Sequence, residues 1–144
     1  MIYLDIDGVL IPQNQSSNSI CKTRASLVRR TARRLQTKIV ISSQRRISED
    51  VFPLLKKVGL LFFVDTSWAG WRTPILRDVD DNLSVRGQEI EAHRKAWGVH
   101  RHIVFDDMPA LPTHHQVLID PVHGITSADA EHGMLLWSAQ RVLS

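Results

Sequence analysis

The stretch Ile2-Tyr3-Leu4-Asp5-Ile6-Asp7-Gly8-Val9-Leu10 constrains this 144-residue chain more than any other. A short apolar run that gives out at a glycine reads as a buried strand. Residues i and i+2 of a strand share a face, so Asp5 and Asp7 should project together where the strand ends at Gly8. Asp-Gly is a common turn pair, but Ile2, Leu4, Val9 and Leu10 make this neighbourhood a buried one. Two carboxylates so close repel unless a cation lies between them or one takes a proton. A purely structural reason for the pair is hard to find. It points to chemistry at the strand's carboxyl end.

Further along, apolar runs at residues 38–42, 60–64, 102–106 and 116–120 join residues 2–5 as five expected strands. Amphipathic patterns lie between most of them. Residues 23–36 form one, with Leu27, Val28, Thr31, Ala32 and Leu35 on a single face. A second runs from Ser48 or Glu49 to Val58 and is stopped by Gly59. A third covers about 87–97, with Ile90, Ala92, His93, Ala96 and Trp97 inward and Gly98 as its end. The last starts at Thr126, where Thr126 and Asp129 have capping-box spacing, and turns Ala130, Met134, Leu135 and Trp137 inward. Alternation of this kind predicts an α/β fold with an open, five-stranded, mostly parallel sheet between helices. One domain over residues 1–144 suits the length and the 43% hydrophobic content. In such sheets ligands bind beyond the carboxyl ends of the strands. Residues 65–85 lack periodicity, and a loop that long is usually functional.

Three strand ends carry polar groups at that edge: Asp5 and Asp7, then Ser42-Ser43-Gln44-Arg45, then Asp106-Asp107. Each is weak alone, because helix caps and turns also use such residues. Together they describe a site for a cation and an anionic group. Charge adds a second signal. Of 18 Lys and Arg, nine fall between Lys22 and Arg46, with no acid among them. Arg29, Arg30, Arg33 and Arg34 share the outer face of the first helix. Solvated faces usually mix signs, because like charges at i,i+4 repel, so an unmixed face suggests an anionic partner. The seven histidines lack metal-ligand spacing and read as loop and surface residues. Trp97 and Trp137 read as core. Trp68 and Trp71, beside Arg72, either fill a gap or stack on a base, and packing is favoured. A single Cys21 excludes an internal disulfide. With no apolar run of membrane length, and a first strand beginning at Ile2, a cytoplasmic protein without membrane partners is expected.

The order of DxDGVL, an apolar strand ending in Ser, a basic residue opening a helix, and an apolar strand ending in Asp-Asp resembles the haloacid dehalogenase (HAD) superfamily. The closer resemblance is to the HAD domain of Swiss Army Knife RNA repair proteins. It extends through Thr73-Pro74, Arg86-Gly87-Gln88-Glu89-Ile90, Leu118-Ile119-Asp120-Pro121 and Gly124-Ile125-Thr126, over nearly the whole chain. Gln44 stands where that group usually has Trp, and the further acid that many HAD enzymes carry after Asp106-Asp107 is missing.

The resemblance implies a HAD-like Rossmannoid three-layer fold and a phosphomonoesterase. Asp5 would be the nucleophile, already ionised at its ordinary pKa of roughly 4. Asp7 would be the general acid and later the base. Mg2+ would be held by Asp5, the backbone carbonyl of Asp7, and Asp106, with Asp107 as the alternative. Ser42, or Ser43 in its place, would bind a phosphate oxygen. Arg86 would neutralise the phosphate, with Lys95 a weaker rival. The gaps between motifs leave no room for a large cap domain, so the site should be open to a large substrate. With a pI near 9.4 and the basic helix, RNA or DNA ends are the expected substrates, contacted by Arg29, Arg30, Arg33, Arg34 and Arg45. Nucleotides or small phosphoesters are the alternative. A non-catalytic binding module is disfavoured by the intact Asp5, Asp7 and Asp106.

Overall fold

A computed structural model describes residues 1–15 and 19–140. Strand β1 (Ile2–Leu4) is followed by helix α1 (Lys22–Leu35), strand β2 (Ile39–Ile41), helix α2 (Val51–Lys57) and helix α3 (Val85–Trp97). Strands β3 (Ile103–Asp106) and β4 (Gln116–Leu118) and helix α4 (Ser127–Ala139) complete the order. The strands form one parallel sheet, β2-β1-β3-β4. Their near-unbroken apolar sequence follows from burial on both faces. Ile2 lies between Ile39 and Ile103, and Leu4 between Ile41 and Phe105. This row packs with Val28 and Ala32 of α1, Leu55 of α2 and Trp137 of α4. Tyr3, Val40 and Val104 point the other way, onto Ile90 of α3.

The sheet has four strands rather than the expected five. Residues 60–64 do not alternate. Leu60, Phe63 and Val64 are buried while Phe62 is exposed, the spacing of a helical turn, and Leu61–Phe63 forms a 3-10 turn. The place beside β2 is taken by a single bridge from Ile41 to Arg72, where Thr73 donates to the Ile41 carbonyl at 3.1 Å. Hydrophobic content in the run was enough for burial but not for a ladder.

Helix faces needed other adjustments. In α3 the inward residues are Gly87, Glu89, Ile90 and His93, whereas Trp97, expected in the core, is 46% exposed and Ala96 is also outside. In α4, Ala130 and Trp137 face inward as expected, but Leu135 is exposed. Helix α2 begins at Val51, later than Ser48 or Glu49. The Thr126–Asp129 capping box forms in both directions, at 2.9 and 3.2 Å. Within 65–85, Trp71 is buried edge-on to Phe52, and Trp68 packs edge-on against Trp97. His93 is buried, as its inward place on the helix predicts, and is bonded to the Tyr3 hydroxyl and the Gly70 carbonyl; His102, expected at the surface, is buried as well. Among the described residues no helix is long and apolar enough to cross a membrane.

Candidate active site

Parallel pairing fixes the first part of the site. With Leu4 beside Phe105, the next residue out, Asp5, lies near Asp106, and its amide donates to the Phe105 carbonyl. Carboxylate oxygens of Asp5, Asp106 and Asp107 all fall within 4.8 Å of one another. Asp5 and Asp106 are buried. Asp5 Oδ1 accepts from the Ile6 amide at 2.9 Å, and Asp106 Oδ1 from the Met108 amide at 3.0 Å. Burial raises the pKa of both carboxyls, and for Asp5 the neighbouring Asp106 raises it further. An ordinary, already ionised Asp5 therefore needs positive charge in the cleft. Asp107 is pressed against Gly8, which has φ +81°. A Cβ there would lie 2.5 Å from Asp107 Oδ2, so this turn admits no side chain.

Positive charge comes from Arg86. It sits in the first turn of α3, which Ser84 caps by accepting from the Gly87 amide. One of its nitrogens, Nη1, lies 3.1 Å from Asp5 Oδ2 and 2.8 Å from Asp106 Oδ2. Burial opposes its charge, but the two carboxylates outweigh that and raise its pKa. Lys95 is exposed, two turns further along α3. Beside Asp5, just past the end of β2, the two serines are not interchangeable. Ser42 is fully buried and its hydroxyl has no protein partner. Ser43 caps the next turn by accepting from the Arg45 amide. Asp7 departs from the expected shared face: β1 ends at Leu4, and Asp7 turns outward. Both of its oxygens accept from Arg45, at 2.8 and 2.9 Å. Its side chain is not in the acidic cluster. A groove of about 520 Å³ opens beside it, lined by Ile11, Pro12, Gln13, Met108 and Pro121.

The family model for the HAD domain in Swiss Army Knife RNA repair proteins matches residues 1–130. The chain belongs to that family. No curated protein and no solved structure matches it significantly. The match places this HAD domain among hydrolases of the phosphatase type connected with RNA repair. The three carboxylates fit the divalent cation that HAD enzymes use: an all-oxygen donor set suits a hard ion, and Arg86 alone leaves the cluster net negative.

One feature of the HAD domain escaped sequence reasoning. Arg46, fully buried, pairs with Glu89 of α3 at 2.8 Å. It also donates to the carbonyls of Ser43, Thr73 and Pro74 at 2.9–3.1 Å. The other Glu89 oxygen accepts from the Leu76 amide. Three segments of chain (residues 43–46, 73–76 and α3) thus meet at one ion pair behind the cleft. Arg46 looked like one more member of the basic run. The only available signal was Glu89, an acid on the inner face of α3 beside Ile90 and three residues after Arg86.

The basic residues split. Arg45 is at the cleft. Arg29 is turned to the Val58 carbonyl at 3.1 Å. Helix α1 runs back from the catalytic edge, its start held by the Leu10 carbonyl accepting from Cys21 and by Arg24 donating to the His123 carbonyl. Arg30, Arg33 and Arg34 fall on its second half, toward the amino ends of the strands, and do not join the cleft.

Proposed function

We propose that this HAD domain is a Mg2+-dependent phosphomonoesterase that works through a phospho-aspartate on Asp5, with terminal phosphates of nucleic acids as its substrates. The observation that carries the reading is Arg86 spanning Asp5 and Asp106 at the shared edge of β1 and β3. A guanidinium there lets a phosphate dianion approach a carboxylate that would otherwise repel it. The unsatisfied Ser42 hydroxyl next to Asp5 is what a phosphate oxygen would complete. Asp5, Asp106 and Asp107, with the Asp7 carbonyl, would hold Mg2+. The bound ion supplies charge neutralisation between phosphate and nucleophile.

The chemistry of the chain's own residues balances. An Asp5 oxygen bonds to phosphorus as the ester P–O bond breaks, and the leaving oxygen takes a proton from Asp7. Water then attacks the phosphorus, gives a proton to Asp7, and frees Asp5 and inorganic phosphate. Arg45 must release at least one Asp7 oxygen for these transfers. The groove beside Asp7 is where the alcohol would leave. From Asp7 to Cys21 the described residues form no helix or strand, so the entrance suits a large substrate.

The distance of Arg30, Arg33 and Arg34 from the cleft favours a second reading, hydrolysis of nucleotides or small phosphoesters. Phosphate release with Mg2+ from end-phosphorylated oligonucleotides, mononucleotides and phosphopeptides separates the two. Faster release from oligonucleotides, lost in Asp5→Asn, is expected. Equal or better release from mononucleotides would favour the second reading.

A further inference from the structure

At the amino end of β2, opposite the cleft, aromatic rings and cations alternate. The turn at Leu61–Phe63 buries Phe63 and leaves Phe62 80% exposed, the two rings edge-on at 5.3 Å. Lys38 Nζ lies 5.6 Å from the Phe62 centroid, and the Arg33 guanidinium 6.0 Å from that of Phe63. With Ala32, Gln36 and Thr37 these four line a recess of about 280 Å³. Arg30 and Arg34 lie further round α1, where they line a separate recess with Glu131 of α4. No acid occurs between Lys22 and Ser48. Asp65, just after the turn, is engaged by the amide and hydroxyl of Ser67.

We propose that this surface is a second nucleic-acid contact, remote from the catalytic centre, which takes an unpaired strand. An exposed phenyl face flanked by cations matches a base flanked by phosphates. A duplex keeps its bases stacked inside and cannot offer one to Phe62. The inference rests on the nucleic-acid reading above and explains why the basic half of α1 lies away from the cleft: it holds the body of the strand, not its end. From Lys38 to Ser42 the strand spans roughly 13 Å. A bound chain reaching from one site to the other needs at least about four nucleotides at the rise of stacked bases.

Binding is measured with single-stranded homopolymers of about two to ten nucleotides carrying hydroxyl ends, so that no scissile phosphate is present. Phe62→Ala should weaken binding of the longest by about tenfold, the scale of one lost stack. Lys38→Gln should lower the salt slope by about 0.7. Phosphate release from a small aryl phosphate should stay at the wild-type rate in both variants. With end-phosphorylated substrates, KM should fall once the chain exceeds about four nucleotides, and Phe62→Ala should remove that gain. Unchanged affinity and salt slope in both variants would overturn the proposal. So would a duplex that binds as tightly as the single strand, or a Phe62→Ala change that alters only self-association. Absence of phosphate release from any substrate would instead count against the catalytic reading, because the binding experiment involves no turnover.

Discussion

At the residue scale the site depends on atoms that tolerate little change. Asp5→Asn keeps the shape and the hydrogen bond from Ile6 while removing the nucleophile. Turnover should vanish, with far-UV and near-UV spectra of the fold unchanged, and retained phosphate release would rule out a phospho-aspartate. Asp7→Asn should lower kcat by about a hundredfold to ten-thousandfold, and burst kinetics should place the loss in proton transfer. Gly8 is constrained twice, by its φ of +81° and by Asp107. Gly8→Ala should cost about 1–3 kcal/mol of stability and displace the Asp107 carboxylate. Mg2+ affinity measured by calorimetry should fall with it. An unaltered affinity would mean that Asp107 does not help to hold the ion.

At the scale of elements, the motif-bearing strand ends were legible and the packing between them was not. Asp5, Ser42 and Asp106 follow apolar runs whose parallel pairing could be anticipated, and the structure brings them to one edge. Residues 60–64 misled because apolar content does not distinguish a ladder from a turn; only the exposure of Phe62 reveals the period. Trp97 misled because α3 turns Glu89, an acid that sequence reasoning sends outside, inward beside Ile90 and His93. That inner face has a consequence for catalysis. Glu89 neutralises Arg46, and Arg46 holds the Ser43, Thr73 and Pro74 carbonyls. Glu89→Gln leaves a buried guanidinium without its counter-charge and should destabilise by about 3–5 kcal/mol. An apolar pair in place of Arg46 and Glu89 would not be neutral here, because the buried carbonyls of Ser43 and Thr73 would lose their donor. At a temperature where Glu89→Gln remains folded, KM should rise more than kcat falls, because the loop carrying Ser42 and Ser43 loosens. A variant with wild-type KM and stability would show that the pair is dispensable.

At the scale of the whole molecule, the two ends of the sheet bury opposite kinds of titratable group. The carboxyl edge buries acids around Arg86. The amino edge buries His102, 1% exposed, with neither ring nitrogen hydrogen-bonded and His115 stacked on it at 4.1 Å. Desolvation, then repulsion from His115 and Arg94, lowers its pKa to about 3. An unfolded chain takes up the proton near the ordinary value of about 6.5. The folded pKa is therefore the depressed one, and below about 6.5 the unfolded state binds more protons. Stability from this group is complete above that pH and declines as pH falls toward about 3. The loss approaches about 5 kcal/mol at the acid limit. Carboxylates also titrate in this window, so the wild-type slope alone does not isolate the histidine. His102→Phe keeps a ring on His115 and removes both nitrogens. The backbone amide and carbonyl of residue 102 remain bonded to Gln140, at 2.9 and 2.6 Å. Urea unfolding of the variant should show a shallower decline between about pH 6.5 and pH 4 than the wild type. Parallel curves for the two proteins would mean that His102 gains a proton without unfolding the chain, and that acid sensitivity resides in the carboxylates at the other end of the sheet.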